Sequence, residues 1–238
     1  MSKLSYKSRR TLIVAILTLA VSFWLAISPD SYDTEVTPVL GANDPSAILA
    51  ADILEKLEIK GRAPKTGYVR SEFYKSWPIV DGCSLRQRII KREMGNTAVL
   101  SSENDCDVIS GEFDEPYTGE HRIYYQKSDF TTGIQIDHIV ALSDAWQKGA
   151  QNLTSSERYN LATDPLNLIA ADSTENQTKS DGDAATWLPK NKKFRCPYVA
   201  RQISVKYKYH LWVSQAEHDA MAKVLTTCPK EPAIGVEL

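Results

Sequence analysis

No two cysteines of this chain form a C-x-x-C pair, so a zinc knuckle finds no ligands at the usual spacing. No H-E-x-x-H, G-x-S-x-G or P-loop pattern occurs, which leaves those metalloprotease, serine-hydrolase and nucleotide-cradling chemistries without residues to carry them. Internal repeats and low-complexity tracts are missing too, and a solenoid goes with them. Charge of one sign is not in excess: 28 Lys and Arg stand against 30 Asp and Glu, a net charge of −2. Near-neutrality neither supports nor excludes a nucleic-acid partner, because phosphates need only a local basic surface. The 238 residues, 42% hydrophobic, suffice for one domain, or two small ones, with a real core.

The clearest targeting signal is at the N-terminus. Lys3, Lys7, Arg9 and Arg10 make a positive start, and Thr11–Ile27 then carries no charge, the layout of a secretory signal peptide. The run is about as short as a spanning helix can be, so a membrane anchor through residues 11–27 is the alternative. No clean A-x-A cleavage site follows it. On either reading the domain that follows is expected outside the cytoplasm, secreted or anchored to the outer face of the cell membrane. The four cysteines, Cys83, Cys106, Cys196 and Cys228, agree, since an even count in an exported protein favours disulfides. Of the three possible connectivities, neighbour pairing of Cys83 with Cys106 and of Cys196 with Cys228 is favoured, each bridge worth on the order of 3 kcal/mol.

Residues 1–30 are therefore assigned to the signal or anchor, 31–45 to a Pro- and Gly-containing linker, 46–232 to one domain and 233–238 to a tail. Within the domain, apolar periodicity and capping residues predict helices over Ala47–Leu57 with Ser46 as cap, Ser84–Met94, Ser143–Gly149, Ser155–Thr163 with Ser155 as cap, Tyr198–Val213 and Ala216–Leu225. Another helix is expected from Ser173 through Asn176 and Lys179. Val108–Phe113, Ile134–Ile139 and Leu166–Ala170 read as strands.

The segment from Ile134 to Asp181 carries the chemistry. Asp137 and His138 end a short strand, where adjacent side chains point to opposite faces. A histidine with an ordinary pKa of about 6.5 can take a proton from water near neutral pH. A carboxylate such as Asp137 suits a hard cation, and Asn176 can offer a second oxygen from the following helix. Phosphodiester hydrolysis needs this combination of activated water and charge stabilisation.

Asp137-His138 with Asn167 and Asn176 resembles the HNH, or His-Me finger, nuclease motif. The end of the segment, NQTKSD, is similar to the HNH domain of CRISPR RNA-guided DNA nucleases. The DHIVALSDAW opening, the WLP tail and the Gly82-Cys83 pair are similar to small exported bacterial HNH proteins of the GmrSD type. One departure is Ala141, where many members have Pro. The resemblance implies an α+β domain, a ββα-metal core embedded in a mainly helical fold. It implies a metal-dependent endonuclease acting on DNA, with RNA as the second choice. His138 is then the general base and Asn167 its brace, counted with it as catalytic. Asp137 and Asn176 are metal ligands for one divalent cation, Mg²⁺ before Mn²⁺. The other class to weigh is a non-catalytic surface or binding module that retains the fold.

Lys179 shares a helix face with Asn176 and is a candidate phosphate contact, as is Lys192 in the basic run Lys190–Arg195. A second run, Arg86, Arg88, Lys91 and Arg92, is either a backbone-binding patch or an exposed helix face. Asp172 reads as a helix cap, and Trp146 and Trp187 as core. His121, His210 and His218 show no motif spacing, and no protein partner can be inferred.

Overall fold

A computed structural model describes residues 47–126, 128–129 and 133–236, all within the unit Val39–Leu238. The expected signal or anchor, the linker and Ser46 lie outside the described residues. Among those described, no helix is long and apolar enough to cross a membrane.

Among the described residues the α-helices include, in chain order, α1 (Ala50–Leu54), α2 (Leu85–Met94), α3 (Leu142–Gln147), α4 (Ser155–Thr163), α5 (Ser173–Lys179), α6 (Arg195–Lys208) and α7 (Gln215–Leu225). The strands are β1 (Ile79–Val80), β2 (Cys83–Ser84), β3 (Val99–Leu100), β4 (Val108–Asp114), β5 (His121–Tyr124), β6 (Ile134–His138) and β7 (Leu168–Asp172). They form the sheets β1-β2, β3-β4-β5 and β6-β7.

The β6-β7 pair positions the site. It is antiparallel, with Ile134 opposite Asp172 and His138 opposite Leu168, and α5 follows β7 without a break. Both of its faces are covered. Ile134, Ile136, Leu168 and Ala170 pack against Leu85, Ile89, Ile90 and Met94 of α2. Ile169 and Ala171 belong to the core of Tyr117, Tyr198 and Ile203. Double coverage explains why β7 is buried at every position rather than at every second one.

Several expected boundaries move, each for a local reason. β7 begins at Leu168, because Pro165 opens a 3-10 turn over Pro165–Asn167, capped by Asp164 onto the Leu166 amide at 2.9 Å. Asn167 therefore precedes the strand. The cap of α4 is Thr154, not Ser155: Thr154 Oγ1 accepts from the Glu157 amide, and Glu157 returns the bond to the Thr154 amide at 2.7 Å. The first helix is shorter than Ala47–Leu57, though Leu57 remains in the core. α6 starts three residues early and stops at Lys208, before His210 turns to φ +52°. Asp172 caps α5 through the Thr174 and Glu175 amides, as expected.

The C-terminal residues are not a loose tail. Ala233 donates its amide to the Ile48 carbonyl at 2.8 Å, Ile234 donates to Ser204 Oγ at 2.9 Å, and Pro232 is bridged to Leu49. Both disulfides pair as expected, Cys83–Cys106 and Cys196–Cys228, with Cα separations of 5.3 and 6.4 Å. The three arginines of the run Arg86–Arg92 are spent on the fold. Arg86 donates to the Ile134 carbonyl, Arg88 to Asp81 and Val80, and Arg92 to the carbonyls of Pro165 and Leu168.

A buried ionic cluster joins the helical elements. Lys148 Nζ lies 2.7 Å from Asp144, 2.7 Å from Asp183 and 2.6 Å from Glu217. Lys206 pairs with Asp144 and Glu217 at 3.2 and 2.9 Å, and Arg62 reaches Asp144 and Asp183 from the edge. Three cations meet three carboxylates, so the interior stays neutral.

Candidate active site

Asp137 and His138, adjacent on β6, face opposite sides of the hairpin yet line one cleft of about 300 Å³ at the strand end, together with Asn176. His138 is 4% exposed, and its ring lies parallel to Trp77, centroids 6.1 Å apart, with Tyr74 beside it at 5.9 Å. Its Nε2 is 2.9 Å from the Ala162 carbonyl, which can only accept. The proton therefore sits on Nε2, and Nδ1 keeps the free lone pair. Burial pushes the His138 pKa down to about 3, helped by the charges of Arg70 and Lys179 and opposed by the Ala162 bond. The ring is thus neutral, as an acceptor of a proton must be.

Asn167 is fully buried. Its Oδ1 accepts the Val140 amide at 2.8 Å, and its Nδ2 donates to the Leu161 carbonyl at 3.1 Å. It ties the turn after His138 to the end of α4, the helix that carries the Ala162 carbonyl. Asn167 is a positioning residue.

The two lysines expected at a phosphate are placed otherwise. Lys179 is 1% exposed, and its Nζ binds the Asp137 carboxylate at 3.0 Å and the His138 carbonyl at 2.8 Å. Its ammonium fastens α5 to β6. Lys192 lines a separate depression with Glu93, Asp114 and Arg201, away from the residues of the His138 cleft. Nearby Lys190 pairs with Glu175 at 2.6 Å.

Asp137 has a second partner that no sequence pattern announced. Tyr117, fully buried, donates its hydroxyl to Asp137 Oδ2, and burial followed by the Asp137 charge pushes the phenol well above its usual range. Asn176 Nδ2 donates to Gln135 Oε1 at 2.7 Å, which fixes the amide on the cleft wall. The candidate donors are therefore hard oxygens of Asp137 and Asn176. A carboxylate has about four lone-pair positions, so the bonds to Lys179 and Tyr117 leave Asp137 able to accept more. This set fits one hard cation that keeps most of its water. Among the described residues, the one three-member group of His, Cys, Asp or Glu ligand atoms is Cys196, Cys228 and Glu231. Its two sulfurs are joined in a disulfide and have no thiolate to offer.

Residues 85–224 match the family described as GmrSD restriction endonucleases, C-terminal domain. The chain belongs to this family. It is a nuclease-family protein of the HNH type, as the DHIV and NQTK residues suggested. A relative from Arthroderma benhamiae, described as an uncharacterized secreted protein, is 35% identical over 189 residues, which are 78% of this chain and 88% of that one. No solved structure matches.

The family match begins at Leu85, but the cleft does not. Lys65, Tyr68 and Arg70 line it from a segment upstream of the match. Ser143 and Asp181 complete that side: Asp181 accepts from Ser143 Oγ at 3.1 Å and Lys65 Nζ at 3.2 Å. Partial burial raises the Asp181 pKa, but these donors outweigh it and the net shift is downward. Asp181 could have been found, since it closes the NQTKSD stretch; Tyr117 and the upstream residues carry no motif.

Proposed function

We propose that this chain is an exported endonuclease that hydrolyses phosphodiester bonds of DNA, and that β6, β7 and α5 form its ββα-metal core. One observation carries the reading: a buried, neutral His138, its Nε2 proton committed to the Ala162 carbonyl, lines a cleft beside Asp137 and Asn176. Nδ1 takes a proton from water as the water oxygen bonds to phosphorus. The P–O ester bond on the far side breaks, and the departing oxygen is protonated from solvent. A divalent cation, Mg²⁺ by preference, would be held by Asp137 and Asn176 and would offset the charge that develops on the phosphate. Asn167 keeps His138 and the Ala162 carbonyl in register. Lys179 and Tyr117 fix the Asp137 carboxylate so that it meets the cleft in one orientation. Export is supported by the N-terminal charge and apolar pattern, by two disulfides, and by the description of the fungal relative as secreted.

The test is plasmid cleavage by the purified full chain with Mg²⁺ or Mn²⁺. Cleavage should vanish with EDTA and fall at least about 1,000-fold in His138→Ala, the scale of a lost general base. Intact plasmid and intact RNA across several metals, with the protein folded, would favour the non-catalytic module instead.

A further inference from the structure

The cations around the cleft are mostly spoken for. Lys179 is bound to Asp137, Lys65 to Asp181, and Arg62 to Asp144 and Asp183. Arg70 differs. Among the described residues it forms no ion pair. Its guanidinium donates to the Tyr74 hydroxyl and lies over the Tyr74 ring at 5.3 Å. It lines the same cleft as Asp137 and His138, and its charge reaches the His138 ring.

Its place is fixed from both sides. Upstream, Trp146 Nε1 donates to the Thr66 carbonyl at 3.2 Å, and Tyr68 packs edge-on against Trp146 with centroids 6.1 Å apart. Downstream, Arg158 Nε donates to the Glu72 carbonyl at 3.1 Å, and Phe73 is buried against Trp146. Other arginines with defined partners, such as Arg88, Arg92, Arg158 and Arg201, serve carboxylates or backbone carbonyls of the fold. A guanidinium set on an anchored backbone at a cleft, with no carboxylate to neutralise it, is a prepared anion contact. Its planar donor fork matches two phosphate oxygens.

We propose that Arg70 contacts the substrate by binding the non-bridging oxygens of the phosphate cut beside His138, so that a residue upstream of the family match completes the site. This rests on the nuclease reading above. The experiment compares the full chain, Arg70→Ala and Arg70→Lys in two assays. One is binding of a fluorescein-labelled duplex oligonucleotide in EDTA over a range of salt. The other is kcat and KM for cleavage of the same duplex with Mg²⁺. Arg70→Ala should flatten the slope of log K against log salt by about 1, as one lost phosphate contact does. It should also lower kcat/KM about 100-fold, the scale for removing one preorganised donor. Arg70→Lys should restore the slope and only part of the rate, because an ammonium keeps the charge without the fork. If Arg70→Ala does not fold, Arg70→Gln makes the same comparison with a side chain that can still donate to Tyr74. A neutral variant that matches wild type in slope and kcat/KM, while wild type binds and cuts, overturns the Arg70 proposal alone. A wild type that neither binds nor cuts overturns the nuclease reading and this proposal with it.

Discussion

Replacing Asn167 probes the bracing of the site without touching any group placed against substrate. Asn167→Ala removes the acceptor of the Val140 amide and the donor to the Leu161 carbonyl, both buried. An orphaned buried amide costs about 1–3 kcal/mol, and a carbonyl with a second lone pair sits at the low end of that range. The void left by the amide group adds to this, so the expected loss is about 3–4 kcal/mol. For a domain of this size that corresponds to a fall in melting temperature of about 10 °C. Urea unfolding followed by tryptophan fluorescence gives the free energy directly.

Asn167→Asp sharpens the test. Its carboxylate still accepts from Val140, but its other oxygen faces the Leu161 and Val140 carbonyls, 3.1 and 3.4 Å from the present Nδ2. Only the protonated acid can donate there, so the folded pKa must rise above the unfolded one. The folded state then binds more protons, and the deficit of Asn167→Asp relative to wild type shrinks as pH falls toward the unfolded pKa of about 4. An alanine variant within about 1 kcal/mol of wild type, or an aspartate deficit that does not change with pH, would refute the brace.

Two further outcomes follow from buried charge. Lys148→Met leaves Asp144, Asp183 and Glu217 with Lys206 and a half-exposed Arg62, and should cost about 3–5 kcal/mol. Adding Glu217→Gln restores neutrality and should recover more than half of that by thermal denaturation; a single variant as stable as wild type sinks the idea. His138 has a folded pKa of about 3 against an unfolded value near 6.5, so the unfolded chain takes up the proton first on acidification. Stability assignable to the neutral ring is therefore present above pH 6.5 and lost as pH falls toward 3, by about 1.4 kcal/mol per unit. The stability gap between wild type and His138→Gln should fall at that rate in urea titrations below pH 6, and a constant gap contradicts it.

What could be read in advance was what lies close in sequence. Asp137, His138, Asn167 and Asn176 fall within one continuous segment, from β6 through α3 and α4 to β7 and α5, and the resemblance of that segment to the HNH motif singled them out together. The cysteine pairing was legible because each bridge closes a loop between neighbours. Lys179 sits elsewhere than expected because helical spacing places it on the Asn176 face without revealing what that face covers. It covers β6, and the lysine is consumed by the Asp137 carboxylate and the His138 carbonyl. Lys148, Lys206 and Glu217 likewise look like solvated helix charges until three elements bring them together at 0% exposure. Tyr117 and Arg70 reach the site from outside the Ile134–Asp181 segment, and a lone Tyr or Arg there belongs to no motif that would betray it.

The cleft draws on chain outside the residues of the family match. The β6-β7 hairpin must cover two apolar faces. α2 covers one, and α6 helps cover the other together with α1, upstream of the match. Asp137, His138 and Asn176 line the cleft from β6 and α5. Lys65, Tyr68 and Arg70 line it from the upstream segment. Their segment is held by the Ala63 amide on the Gln147 carbonyl at 2.8 Å, by Arg62 in the buried ionic cluster, and by Tyr68 and Phe73 on Trp146. The same helix α3 that follows the DHIV turn thus anchors the upstream segment and sets the far side of the cleft.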